Sequence, residues 1–346
     1  MNNDKKPGFD QAPRPGAAQP APTNAPQGPD PKAWPAEVAD ITYPSAADGT
    51  MQPMRFYAPP TDRRVPLLVY LHPWSCSYQF ADNIFYARWC MERQWAVCFP
   101  DFRGPNLSPP TCGSELVVQD ILSAVEYARQ HAAIDANRIQ LMGASGGGYA
   151  ALLMAGRAPD LWAGVSAWVP IYDLKDWYFH CKAKGAGYYR QMETICGGPP
   201  GAAPAVDEEY RKRSASAWLP RATNPIIDIS SGIHDTAIPV SHTLRAFNVL
   251  ALPEDRVDKA DMEFIDQRQQ IPGRLRQAVS DPHRGNTGPL VPENLPNRSA
   301  KLVNELTPDE FAERVLFRRC SGRDTISWPA LEFLSRQEKG KPPVWA

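Results

Sequence analysis

The stretch RIQLMGASGGGYAALLMAG, residues 138–156, decides how this chain is read. A short apolar run leads into a glycine-crowded turn around Ser145, and small apolar residues follow it. The run suits a strand and the segment after the turn suits a helix. A serine at such a sharp strand-to-helix turn sits in a strained backbone that pushes its hydroxyl outward. Residues two before and two after must be small because neighbouring backbone approaches there, and Gly143 and Gly147 meet that need. The following helix aims its first amides at the same point, so the Gly146 N–H is a candidate oxyanion donor. A dinucleotide-binding loop would need G-x-G-x-x-G, and the third position here is Ser145.

Strand and helix signals alternate outward from this turn. VADITYPSAADGTMQPMRFYAPP carries two alternating runs on either side of ADGT, which predicts a hairpin. VPLLVYL and WAVCFP are continuous apolar runs suited to strands buried on both faces. A helical segment covers about residues 80–93, and SELVVQDILSAVEYARQHA is a helix capped by Ser114. WAGVSAWVP and PIIDISSG supply further strands, and SHTLRAFNVLA a further helix. The pattern predicts an α/β fold, a mostly parallel sheet with helices on both faces. Two segments interrupt it. Residues 170–224 are rich in aromatics, Trp177, Tyr178, Tyr188 and Tyr189 among them, and read as an insert. That insert is either a lid or pocket wall, or ordinary packing onto the sheet. Residues 253–312 are polar and broken by prolines, and read as an excursion of the same domain. Residues 1–36 are dominated by Pro, Ala, Gly, Gln and Asn and are expected to be a disordered tail. That leaves residues 37–346 as a single domain.

Composition narrows the classes of function. Thirty-seven basic residues against thirty-eight acidic ones give a formal net charge of −1, which argues against a nucleic-acid-binding protein. No apolar run is long enough to span a bilayer, so no membrane partner is expected. The first residues lack the apolar stretch of a secretory signal, which makes the cytoplasm the expected location. The seven cysteines form no C-x-x-C pair and read as reduced, with a Cys112–Cys196 bridge the one pairing left open. Nothing resembles H-E-x-x-H or another metal-ligand spacing, so neither a metal nor another cofactor is expected.

YLHPWSC, FPDFRGPN, DANRIQLMGASGGGYAAL and SSGIHDTAIPVSH together resemble an α/β-hydrolase of the prolyl oligopeptidase and dienelactone hydrolase-like branch. The similarity runs in order over about residues 38–251. It implies a sheet of about eight strands and a catalytic triad in the chain order Ser, Asp, His. The nucleophile is then Ser145. Asp235, just past the strand PIIDISSG, is the triad acid, whose task is to orient an imidazole and stabilise its cation. Asp173 is a fallback acid, and Asp228 lies inside the strand and reads as structural. In LVYLHPWSC the second oxyanion amide falls to Trp74, because Pro73 has no N–H. His72 reads as structural.

The base departs from the family pattern. The resemblance implies a histidine loop between the last strand and the last helix. DTIS reads as that strand and PALEFLSRQ as that helix, with only Trp328 between them. Of the six histidines, His283 in SDPHRGN has the right chain order but precedes the expected last strand. His234 adjoins the acid and His242 opens a helix, while His72, His131 and His180 fit core or surface roles. The residues therefore point to a serine hydrolase, esterase or peptidase in type, acting on a small ester or peptide through an acyl-enzyme. The alternative is a catalytically impaired relative that binds rather than cleaves. Oligomeric state has no signature in the sequence.

Overall fold

VPLLVYL becomes the centre of a sheet because each of its seven residues finds a face to bury against. Leu67, Val69 and Leu71 join one core cluster, while Leu68 and Tyr70 join a second on the opposite face. The computed structural model describes residues 33–232, 235–251, 253, 256–270, 272, 287–290, 298–303 and 327–344. Among these, nine strands form one sheet. They are β1 (Ala39–Pro44), β2 (Met51–Tyr57), β3 (Val65–Leu71), β4 (Ala96–Pro100), β5 (Ile134–Ala144), β6 (Gly164–Trp168), β7 (Ile226–Gly232), β8 (Thr287–Leu290) and β9 (Arg298–Val303). Their order is β1-β2-β4-β3-β5-β6-β7-β9-β8. The five pairings from β4 through β9 are parallel; the β1–β2 hairpin, β2–β4 and β8–β9 are antiparallel.

Helices cover both faces. The first cluster lies under α2 (Glu115–His131) and α3 (Gly146–Arg157). The second lies under α1 (Asn83–Glu92) and, at the C-terminus, α9 (Ser327–Ser335). Ser114 caps α2 as its position implies, accepting from the Val117 N–H at 3.2 Å. Between β6 and β7 the chain forms α4 (Leu174–Lys184), α5 (Tyr188–Cys196) and α6 (Pro204–Arg213). Trp177, Tyr178, Met192 and Tyr210 of this segment belong to the cluster under α3, so the insert is packed as core. After β7 come α7 (Val240–Leu250) and α8 (Lys259–Arg268). Trp34, within the stretch expected to be a tail, packs edge-on against Phe99 at 5.4 Å.

One expectation is corrected. Among the described residues the last parallel strand is RSAKLV, paired with β7, and Ser327 opens a helix; Asp324, Thr325 and Ile326 of DTIS lie outside the described residues. RSAKLV and TGPL lack both a continuous apolar run and clean alternation, and Pro289 marks TGPL for an edge, so periodicity passed over them. Cys112 and Cys196 are free thiols, each pushed up to about 12 by burial, and no bridge joins them.

One buried ion pair ties the hairpin side of the sheet to α2. Arg103 reaches Asp120 through Nε at 2.7 Å and Nη2 at 3.0 Å, and grips Asp48 at 2.9 Å with both terminal nitrogens. Asp120 is fully buried, so its removal takes away the two shielded hydrogen bonds of Arg103 and leaves the guanidinium only its more exposed partner Asp48. Asp120→Ala is therefore expected to cost about 3 kcal/mol of stability. Urea unfolding followed by circular dichroism measures it.

Candidate active site

β5 runs straight into α3, and Ser145 is the one residue between them. Its backbone stands at φ +56° and ψ −120°, a region that favours glycine, at a cost of about 1–3 kcal/mol. Two backbone hydrogen bonds hold it there. The Ser145 N–H donates to the Trp168 carbonyl at 2.9 Å, and its carbonyl accepts from the Tyr149 N–H at 2.9 Å. The residue is partly exposed. The turn tolerates nothing bulkier than hydrogen at the flanking glycines. A Cβ on Gly143 would stand 2.3 Å from the Gly147 carbonyl oxygen, and one on Gly147 would stand 2.0 Å from that of Leu71. Backbone fills both places.

The same crowding brings two amides together. A Cβ on Gly146 would lie 2.4 Å from the Trp74 nitrogen, so the first amide of α3 and the loop after β3 are in contact. Neither N–H has an acceptor among the described residues. His72 holds that loop from below. It is buried, stacks on Phe102 at 4.1 Å, and sets Nδ1 at 2.9 Å from the Pro73 carbonyl and Nε2 at 3.0 Å from that of Asp101. Burial lowers its pKa. From above, the Trp74 indole N–H donates to Gln191 Oε1 at 2.7 Å, and its ring meets Trp177 edge-on at 4.9 Å. Gln191 and Trp177 had no motif to announce them; only the aromatic density of the insert hinted at this wall.

β5 and β7 are parallel and separated by β6 alone, so Asp235 follows β7 at the same edge of the sheet as Ser145. Its Oδ1 accepts from the Ala237 N–H at 2.8 Å and the Ile238 N–H at 2.9 Å. Burial outweighs these amides and raises its pKa to about 6. Asp173, the fallback acid, is a helix cap: Oδ1 accepts from the Asp176 N–H and Oδ2 from the Ser216 hydroxyl. Asp228 is fully buried within β7.

The histidines divide plainly. His242 is buried with Nδ1 accepting from the Tyr172 N–H at 3.0 Å, and His131 stacks on Tyr127. His180 Nε2 stands 2.9 Å from the Thr236 carbonyl, next to the acid. Neither these three nor His72 is hydrogen-bonded to Ser145 or Asp235. His234 and His283 lie outside the described residues. With β9 as the last described parallel strand, the place the resemblance gives the base falls within residues 304–326, which lie outside the described residues and contain no histidine. No group of three or more His, Cys, Asp or Glu suited to a metal stands among the described residues. No described helix is long and apolar enough to cross a membrane.

Fold and turn together define an α/β-hydrolase. Residues 114–269, somewhat under half of the chain, match the model of the prolyl oligopeptidase family, a likeness that goes with the α/β-hydrolase fold. The match includes Ser145 and Asp235 and stops before His283. The acylamino-acid-releasing enzyme of Rattus norvegicus is 26% identical over 211 residues, covering 56% of this chain and 27% of the rat protein. The acylaminoacyl peptidase of Pyrococcus horikoshii superposes with a TM-score of 0.58 at 14% identity, over 90% of this chain and 43% of that one. A puromycin hydrolase gives 0.50 at 19% identity, over 62% and 33%. The chain thus spans about a quarter of the rat relative.

Two substitutions test the strain and the burial. Ser145→Gly relieves the positive φ and is expected to raise stability by about 1 kcal/mol, the gain reduced by glycine's greater chain entropy. Asp235→Asn keeps both amide bonds and removes a half-buried charge. Because the folded carboxyl titrates above its unfolded value of 3.8, the charge destabilises the fold above about pH 6. The variant should therefore be more stable than wild type at pH 8, by about 2 kcal/mol. That advantage should fade as pH falls from 6 towards 4. Thermal unfolding across this range reads both effects.

Proposed function

We propose that this chain is a serine hydrolase that cleaves an ester or peptide-like bond through an acyl-enzyme. The observation that carries the reading is the strained, partly exposed Ser145 at the head of α3, where Gly146 packs against the Trp74 nitrogen. In this mechanism the Ser145 hydroxyl attacks the substrate carbonyl carbon as the base takes its proton. The two amides stabilise the oxyanion of the tetrahedral intermediate. The base then returns the proton to the leaving group, and water repeats the sequence to release the acid. Asp235 orients the base, using the carboxylate oxygen that the Ala237 and Ile238 amides leave free. The rings of Trp177 and Tyr188, 5.1 Å apart beside the oxyanion loop, favour a substrate with an apolar or ring-bearing portion.

His283 is the proposed base. Support comes from the edge strand: β8 runs antiparallel to β9, and its first residue, Thr287, pairs with Leu302. Leu302 is next to Val303, which pairs with Gly232 at the end of β7. The chain therefore enters β8 from the edge where Ser145 and Asp235 stand, and His283 precedes that entry by four residues, a reach of about 14 Å. The second reading, a binding protein on a disabled hydrolase fold, is favoured by the absence of histidine from residues 304–326.

A fluorophosphonate probe separates the two. Wild type should be labelled, Ser145→Ala should not, and His283→Ala should react about 10³-fold more slowly or worse. Labelling of His283→Ala at the wild-type rate removes that residue from the mechanism. A wild-type protein inert to the probe supports the binding reading instead.

A further inference from the structure

The oxyanion loop and the acid loop come from opposite sides of the serine turn, yet one side chain touches both. Trp177, on the first helix of the insert, is buried. Its indole N–H donates to the Ala237 carbonyl at 2.9 Å. The amide of that same Ala237 donates to Asp235 Oδ1 at 2.8 Å. The ring of Trp177 meets Trp74 edge-on at 4.9 Å, an arrangement aromatic pairs favour, and the Trp74 backbone nitrogen is the one packed against Gly146. One turn along α4, His180 Nε2 stands 2.9 Å from the Thr236 carbonyl, so the helix holds two consecutive carbonyls of the acid loop. From α5, Gln191 fixes the outer edge of the Trp74 indole at 2.7 Å.

We infer that Trp177 is a positioning residue: it sets the spacing between the Asp235 turn and the Trp74 amide, so the insert is part of the catalytic frame. This rests on the serine-hydrolase reading. The physical argument is one of connectivity. The loop after β3 and the loop after β7 have two strands, β5 and β6, between them, so no strand pairing fixes the distance from one to the other. An oxyanion donor displaced by a fraction of an ångström loses most of its effect, since such groups act only when preorganised. A rigid bicyclic ring with a hydrogen bond at one end and a ring contact at the other fixes the separation with little entropy to lose. Gln191 serves the same end, because its carbonyl oxygen anchors the indole of Trp74, the residue whose backbone nitrogen packs against Gly146.

The test uses the full chain, a fluorophosphonate probe and amide hydrogen exchange. Trp177→Phe keeps the ring contact and deletes the N–H. It should accelerate exchange of the Ala237 and Ile238 amides at least tenfold. It should also lower the maximal rate of Ser145 labelling at least tenfold, with the half-saturating probe concentration changed by less than twofold. A role confined to shaping the pocket would instead move the half-saturating concentration. A labelling rate within twofold of a reactive wild type overturns the inference, whatever the exchange shows. If wild-type Ser145 proves inert, the hydrolase reading has failed, and exchange alone then decides whether the indole holds the acid loop. Gln191→Leu covers the case in which Trp177→Phe does not fold. It should slow labelling at least tenfold while leaving exchange at Ala237 and Ile238 unchanged, and labelling within twofold of wild type overturns the proposal.

Discussion

Backbone packed on backbone at the head of α3 is the constraint on which the rest of this structure depends. Gly147 lies against the Leu71 carbonyl, Gly143 against Gly147, and Gly146 against the Trp74 nitrogen, each too close for a side chain. That contact joins the end of β3 to the turn after β5, and the parallel register of those strands follows it up to Leu71 and Gly143. It also fixes the positive φ of Ser145, because the turn has no room to relax while helix and loop are both in place. The strain extends to the neighbouring strand. Val169 has φ +42°, an unusual value for a β-branched residue, and its N–H donates to Ser230 at 2.6 Å. Val169 directly follows Trp168, whose carbonyl accepts from Ser145, so strained residues stand on both sides of that hydrogen bond.

Electrostatics at this edge follow from the same geometry. Asp235 trades water for two backbone amides, and the exchange is unequal, since burial still raises its carboxyl to about 6. A carboxylate in that position gains more from a nearby cation than an exposed one would, because little solvent screens the pair. An imidazolium formed during catalysis would supply that cation at the moment the acid is needed. His180, one turn from Trp177 and bonded to the carbonyl after Asp235, already lowers the acid's pKa slightly against the larger effect of burial.

Much of this was legible in the residues, for reasons particular to each. VPLLVYL could be read as a central strand because burial on both faces leaves no polar positions, and Ser114 as a cap because its side chain can do little else there. The serine turn was legible because close backbone contact demands glycine at fixed offsets. Asp173 and Asp235 looked alike in sequence, both just past a strand, and only folding makes the first a helix cap. β8 at the edge and β9 beside it were missed because neither carries an apolar run or clean alternation, and that error moved the expected histidine loop to Trp328. The Trp177 and Gln191 contacts were out of reach altogether. They join residues more than fifty positions apart, and no local pattern records a contact at that separation.

The balance between hydrolase and binding protein turns on two local costs. Ser145 keeps a backbone conformation worth about 1–3 kcal/mol of strain. Asp235 keeps a carboxyl that would be more stable in water, at about 2 kcal/mol near neutral pH. Against a typical net stability of about 5–15 kcal/mol these are substantial. A surface that only had to bind would need neither, because an ordinary turn and an amide side chain would present similar contacts without the penalty. Both costs fall on the groups that the proposed acyl transfer would use as nucleophile and acid, and both follow strand ends at the same edge of the sheet. Strain and desolvation placed together in this way are what a preorganised catalytic site needs, and a passive groove has no use for them.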